Sequence, residues 1–166
     1  MTISRVCAGA GLALLLTAAT PRIVFADGAW AAFDRSGRCE AVSRAARVTT
    51  NRAEQANVVI LFDRASHAHG QLAVRLGKPM RPGGTVMLAV RDTPFLLVAR
   101  PPFAWSSGPA QEAAIIAAIR QGGAMRVEAG GAGGRFVDRY ALDGAAGAID
   151  AAAACAAQLE KSREHR

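Results

Sequence analysis

Thr85-Val-Met-Leu-Ala-Val-Arg-Asp-Thr-Pro-Phe-Leu-Leu-Val98 decides how this chain folds. Side chains of an extended segment alternate between two faces, so Val86, Leu88 and Val90 share one of them. Asp92-Thr-Pro94 interrupts the run, and Phe95-Leu-Leu-Val98 resumes it. Two β-rich runs with so short a break between them read as a hairpin. Pro94 is expected at the first residue of the second strand, where a missing N–H is tolerated.

The same signal recurs on both sides. Asn57-Val-Val-Ile-Leu-Phe62 is a short apolar run rich in β-branched residues. From Gln71 to Leu76 the alternation is clean: Leu72, Val74 and Leu76 fall on one face, Gln71, Ala73 and Arg75 on the other. Met125–Glu128 and Arg135–Leu142 complete the set. Pro- and Gly-rich segments separate the runs at 79–84, 100–102 and 130–134. Short period-2 segments with such punctuation predict an antiparallel β-sandwich. Two segments break the pattern and read as helices. One spans about Pro109 to Gln121, with Ser107 or Gly108 as cap, Pro109 in the first turn and Gly122-Gly123 as stop. Its core stripe is Ile115, Ile116 and Ile119. The other spans about Ala145 to Glu160, where Ile149, Ala152, Ala156 and Leu159 share a face with Cys155 at its edge.

The first 26 residues read as a secretory signal: a short basic start, an apolar run from Val6 to Ala19, and small residues before Asp27. The run is too short for a membrane span. Cys7 stands too near the start to carry a lipid anchor. The expected organisation is a signal over 1–26, one domain over 27–160 and a polar tail over 161–166. Removing Arg5 and Arg22 with the signal lowers the net charge from +7 to +5. Two cysteines then remain, Cys39 and Cys155, and in an oxidising compartment they read as one disulfide. The strands are too short and the end too polar for an outer-membrane barrel.

No constellation of catalytic type emerges. His67 and His69 stand two residues apart, as in the start of a metal site, but third and fourth ligands are not apparent. Ser106 and Ser107 precede a helix, where capping explains them, and no base or orienter accompanies them. The Gly-rich stretch 130–134 runs into a strand and not into a helix N-terminus, so it is not a phosphate cradle. Asp138 and Asp143 flank Tyr140; a structural hydrogen bond or a solvated acid accounts for them better than paired hydrolytic acids. The arginines are spread along the chain without interleaved aromatic rings, which argues against nucleic acid and leaves a weak attraction to anionic envelope surfaces. Trp30 and Trp105 read as core anchors, with Trp105 also a candidate partner anchor.

Several stretches taken together resemble a known family. Leu76-Gly-Lys-Pro-Met-Arg-Pro-Gly83 is similar to its Gly-aromatic-Pro-hydrophobic-Lys-Pro-Gly turn. Val90–Leu97, Ala104-Trp105, Glu112–Gly122, Gly133, Asp138–Gly144 and a helix carrying Cys155 follow in its order. The chain thus resembles the invasion-associated locus B family of Gram-negative envelope proteins over about Trp30 to Cys155. The resemblance implies an immunoglobulin-like β-sandwich with helical additions, export to the periplasm or outer envelope, and a link to host-cell invasion in pathogenic members. It carries over no catalytic residue and no cofactor. Lys78, Gly130, Ala132 and Ala141 depart from the family's usual residues.

The expectation is therefore a mainly β, disulfide-stapled, non-enzymatic envelope protein that acts by binding an envelope or host-surface protein. It needs no metal and no cofactor. Candidate contact residues are Lys78, Arg81, Phe103, Trp105 and Arg135. Two alternatives stay open: a small periplasmic metal carrier or enzyme using His67 and His69, and a structural cell-wall protein.

Overall fold

The computed structural model of the chain describes residues 20–48, 55–63 and 66–165. Within them lie ten strands and two helices: β1 (Arg22–Asp27), β2 (Trp30–Asp34), β3 (Cys39–Arg44), β4 (Asn57–Asp63), β5 (Ala68–Arg75), β6 (Val86–Val90), β7 (Thr93–Arg100), β8 (Phe103–Trp105), α1 (Pro109–Arg120), β9 (Ala124–Gly131), β10 (Gly134–Ala141) and α2 (Ala145–Glu164). All pairings are antiparallel, in the order β1-β2-β3-β4-β5-β8-β7-β6-β9-β10. This is the expected mainly β sandwich with two helices.

The fold turns on β7. Its first half, Thr93–Leu97, pairs with β6, and its second half, Val98–Arg100, pairs with β8. One strand therefore belongs to both layers. The large layer holds β1 to β5, β8 and the end of β7; the small layer holds the start of β7 with β6, β9 and β10. The faces that meet are apolar. Ala41, Val58, Ile60, Leu72 and Val74 from the large layer join Val86, Leu88, Val90, Met125 and Val127 from the small one in a single buried cluster. The alternation read from β5 and β6 is thus what fills the core. α2 covers the inner side of β1 to β4, and α1 covers β5 at the corner where β7 changes layer.

α2 is fixed chemically as well as by packing. Cys39 opens β3 and Cys155 sits midway along α2; their sulfurs are bonded, with the Cα atoms 6.0 Å apart across 116 residues of sequence. Ala145, Ala148, Ile149 and Ala152 are buried on the same helix face. Their small side chains let the helix axis approach the strands closely. A second lock holds the N-terminal hairpin. The Ala29 N–H donates to the Asp143 carbonyl at 3.1 Å. Gly28 (φ 54°) and Gly144 (φ 80°) occupy the left-handed region, and a Cβ on either would strike the other turn's backbone.

Four strands go beyond the sequence reading, and the hairpin and α2 differ from it in detail. β1, β2, β3 and β8 carry weak patterns of their own, and it is their neighbours that make them strands. The hairpin turn is Arg91-Asp92, with Val90 paired to Thr93. Pro94 is the second residue of β7, on a stretch paired along one side, where its missing N–H costs little. α1 has Gly108 as its cap and Pro109 in its first turn, as expected, while Ser107 makes no side-chain cap bond. α2 runs on to Glu164, past the expected start of a polar tail, since no Gly or Pro follows Gly147 in the helix to stop it.

The expected signal has its basic start and apolar run in residues 1–19, outside the described residues. Arg22–Ala26, expected to leave with it, lies in β1: Ala26 pairs with Ala31, and the Phe25 ring covers Gly147 so closely that a Cβ there would meet it at 2.5 Å. A chain beginning at Asp27 is expected to melt lower than one beginning at Thr20, because it loses the edge strand and the Phe25 seat. Calorimetry of the two chains checks this, and the intact mass of the protein purified from its native host tells where its chain begins. Removing the disulfide by C39S/C155S is expected to cost about 4–5 kcal/mol from the loop it closes. Thermal unfolding should then show Tm lower by about 10–20 °C.

Candidate functional site

The large layer has a second face, turned away from the core, and it is built from the residues that alternate with the buried ones. Register connects it without a break. Ala31 pairs with Val42, Val42 with Val59, Val59 with Ala73, Ala73 with Trp105, and Trp105 with Val98. This row of apolar side chains crosses six strands, about 24 Å at the usual strand spacing. Nothing among the described residues packs over it: Val98 is 44% exposed and the rest of the row is half-buried. Leu96 (56%) and Phe103 (36%) extend the apolar surface. Soluble proteins scatter single apolar side chains over their surfaces, and a contiguous row of them is the informative case.

The next row along the strands is cationic. Arg44 pairs with Asn57, Asn57 with Arg75, Arg75 with Phe103, and Phe103 with Arg100. The Arg75 guanidinium lies 5.5 Å from the centre of the Phe103 ring, whose face attracts cations. Phe103 and Trp105 stand with ring centres 5.7 Å apart. On the opposite margin Phe33, Glu40, Leu61 and Gln71 align, with Arg35 paired to Glu40 and stacked 5.1 Å over Phe33. Two hollows open on this face, one of 690 Å³ beside Ala31, Phe33 and Val42, the other of 320 Å³ beside Val98, Arg100 and Trp105.

The five sequence candidates are divided by this geometry. Phe103 and Trp105 lie together on the open face. Lys78 lines a 520 Å³ hollow with Arg75, Met80 and Pro102, beside the middle of the cationic row. Arg81 and Arg135 belong to the outer side of the small layer. There the Arg81 N–H donates to the Gly130 carbonyl at 2.8 Å, and Arg135 is paired with Glu128 at 3.1 Å. Arg75 and Val98 are not among the contact residues expected from sequence, whereas Arg100 opens the expected contact loop 100–107. The alternation over 71–76 put Arg75 outside, but only the β5–β8–β7 register sets it beside Phe103 and Arg100.

The other candidates have structural roles. Ser106 is buried: its hydroxyl accepts from the Leu72 N–H at 3.2 Å and donates to Glu112 at 3.0 Å. The Ser107 N–H donates to the Gln111 side chain at 2.8 Å, and that side chain donates to the Leu96 carbonyl at 2.9 Å. These bonds bind α1 to β5 and β7, and so hold Trp105 and Leu96 in place. His67 sits in a turn at φ 56°, and His69 is exposed on β5. Among the described residues the one grouping of three possible metal ligands is Asp34 with Cys39 and Cys155. Both sulfurs there are spent in the disulfide, so they offer no thiolate.

Asp138 and Tyr140 share the inner face of β10, as alternation predicts. Asp138 accepts from the Gly77 N–H at 2.9 Å. Burial pushes its carboxyl above the usual carboxylate range, against the pull of that bond and of Arg47 and Lys78. The Tyr140 hydroxyl is buried without a hydrogen-bond partner, and burial together with the Asp138 charge pushes its titration far up. Asp138 thus anchors the turn that carries Lys78.

No family model, curated protein or solved structure matches the chain. No helix among the described residues is long and apolar enough to cross a membrane.

Because the folded protein holds the Asp138 proton more readily than the unfolded chain does, this group lowers stability at neutral pH. Stability relative to D138N should rise as pH falls through the raised folded value, and level off below the ordinary carboxylate range. Denaturant titrations of both proteins between pH 7 and pH 3 measure the difference.

Proposed function

We propose that this chain is an exported envelope protein that acts by binding another macromolecule, without catalysis, through the open face of its large layer. The observation that carries the reading is the apolar row from Ala31 to Val98, left uncovered by the described residues and edged by arginines. Burying such a surface against a partner is favourable in proportion to its apolar area. Trp105 and Phe103 are of the residue types that dominate contact energies, and the hydrogen-bonded α1 junction keeps them preorganised.

Export is supported by the basic-then-apolar start of the sequence and by the disulfide, which persists in oxidising compartments. The resemblance to the invasion-associated locus B family agrees with this and supplies the setting, an envelope role linked to host-cell invasion. The metal-carrier alternative gains nothing from the placement of His67 and His69.

A photo-crosslinking residue placed at Val98 in the native host tests the proposal, with the same residue at exposed Ala113 on α1 as control. The expected result is one recurrent adduct from position 98 that V42D removes and that is absent from position 113. Equal labelling from both positions, or none from either, would overturn it. Sedimentation of the purified protein with peptidoglycan, unaffected by V42D, would point to the cell-wall role instead.

A further inference from the structure

Granting that the open face is a contact surface, the arrangement of its charges says what kind of partner it fits. Arg44, Arg75 and Arg100 occupy β3, β5 and the end of β7, every second strand of the large layer. They stand on one row, parallel to the apolar row and adjacent to it. Successive guanidinium stems are therefore about 9–10 Å apart. Among the described residues none of the three is in an ion pair, whereas Arg22, Arg35, Arg120, Arg126 and Arg135 each are. The Arg75 Nε is buried and donates to nothing. A buried N–H of a charged group without an acceptor is costly, and a turn of the side chain toward an incoming carboxylate relieves it.

We infer that the partner is an amphipathic protein helix bearing carboxylates seven residues apart along one margin of its apolar face. Seven residues of α-helix rise about 10.5 Å and bring the side chain back to nearly the same side, which matches the spacing of the arginines. The apolar row is as long as about 16 residues of helix. A single anionic amphiphile places its charge at one end, whereas here the cations run the whole length of the apolar band. An extended peptide adds to a sheet edge and does not lie across its face.

The test uses a synthetic helical peptide with a Leu-rich face and Glu at three positions seven apart. A second peptide carries Lys at those positions, a third carries the Glu residues five apart, and vesicles of phosphatidylglycerol serve as the anionic surface. Binding is read by fluorescence anisotropy of labelled peptides and by co-sedimentation with vesicles. The seven-spaced Glu peptide is expected to bind about tenfold or more tightly than the Lys peptide and more tightly than the five-spaced one, and to weaken with salt. Each of R44Q, R75Q and R100Q should reduce its affinity by about two- to fivefold. Equal binding of all three peptides, affinities unmoved by the Arg variants, or vesicle binding without peptide binding would overturn the inference. In the first two cases a loss of binding on V98D would leave the face a contact surface. An intact crosslink at position 98 with no peptide binding would likewise sink the acidic helix and spare the binding role.

Discussion

Everything in this fold depends on which face of the large layer is covered. The layer is six strands wide before it reaches β7, and an antiparallel sheet of that width has two faces to account for. The chain supplies a small layer and two helices, and all of them go to the same side. Cys39–Cys155 makes that choice irreversible under oxidising conditions, because α2 cannot leave the inner face of β3 while the bond stands. The outer face is what remains, and packing among the described residues does not explain its apolar content.

The same economy governs the corner. β7 pairs with β6 over its first half and with β8 over its second, so the two layers are one continuous hydrogen-bonded system. Ser106 and Glu112 are buried at this corner and satisfy each other, and Ser106 also ties down Leu72. A hydroxyl and a carboxylate placed side by side in the interior are tolerated only when hydrogen-bonded, and here that bond also sets where Trp105 lies. Rigidity of the open face thus comes from inside the molecule. Ser106, expected from sequence to cap the helix, is a structural joint with Glu112 instead.

Much of the fold could be read from residues alone. Leu72, Val74 and Leu76, and Val86, Leu88 and Val90, gave strands, faces and core together, because period-2 patterning reports burial directly. Ile115 and Ile119 did the same for α1. Cys39 and Cys155 were legible as a pair because few alternatives existed. β3 was not legible: Cys39-Glu-Ala-Val-Ser-Arg44 mixes small and polar residues, and its burial is decided by the strands on either side. The contact face was half legible. Phe103 and Trp105 stood out as aromatic residues after two prolines, but the rows that make them part of a surface depend on pairings between β5, β8 and β7. Such long-range register leaves no local trace in sequence.

The position of the two cysteines has a consequence for how the protein is made. Cys39 lies near the beginning of the domain and Cys155 within a dozen residues of its end. A chain crossing a membrane N-terminus first therefore presents Cys39 to oxidants long before its mate arrives. During that interval the thiol can be paired only with another molecule or with Cys7, if the leader is still attached. Under the proposed export, brisk translocation and early loss of a leader would favour the single native link, and slow passage would favour covalent dimers. Over residues 27–166 the sequence holds no third cysteine to compete for that link.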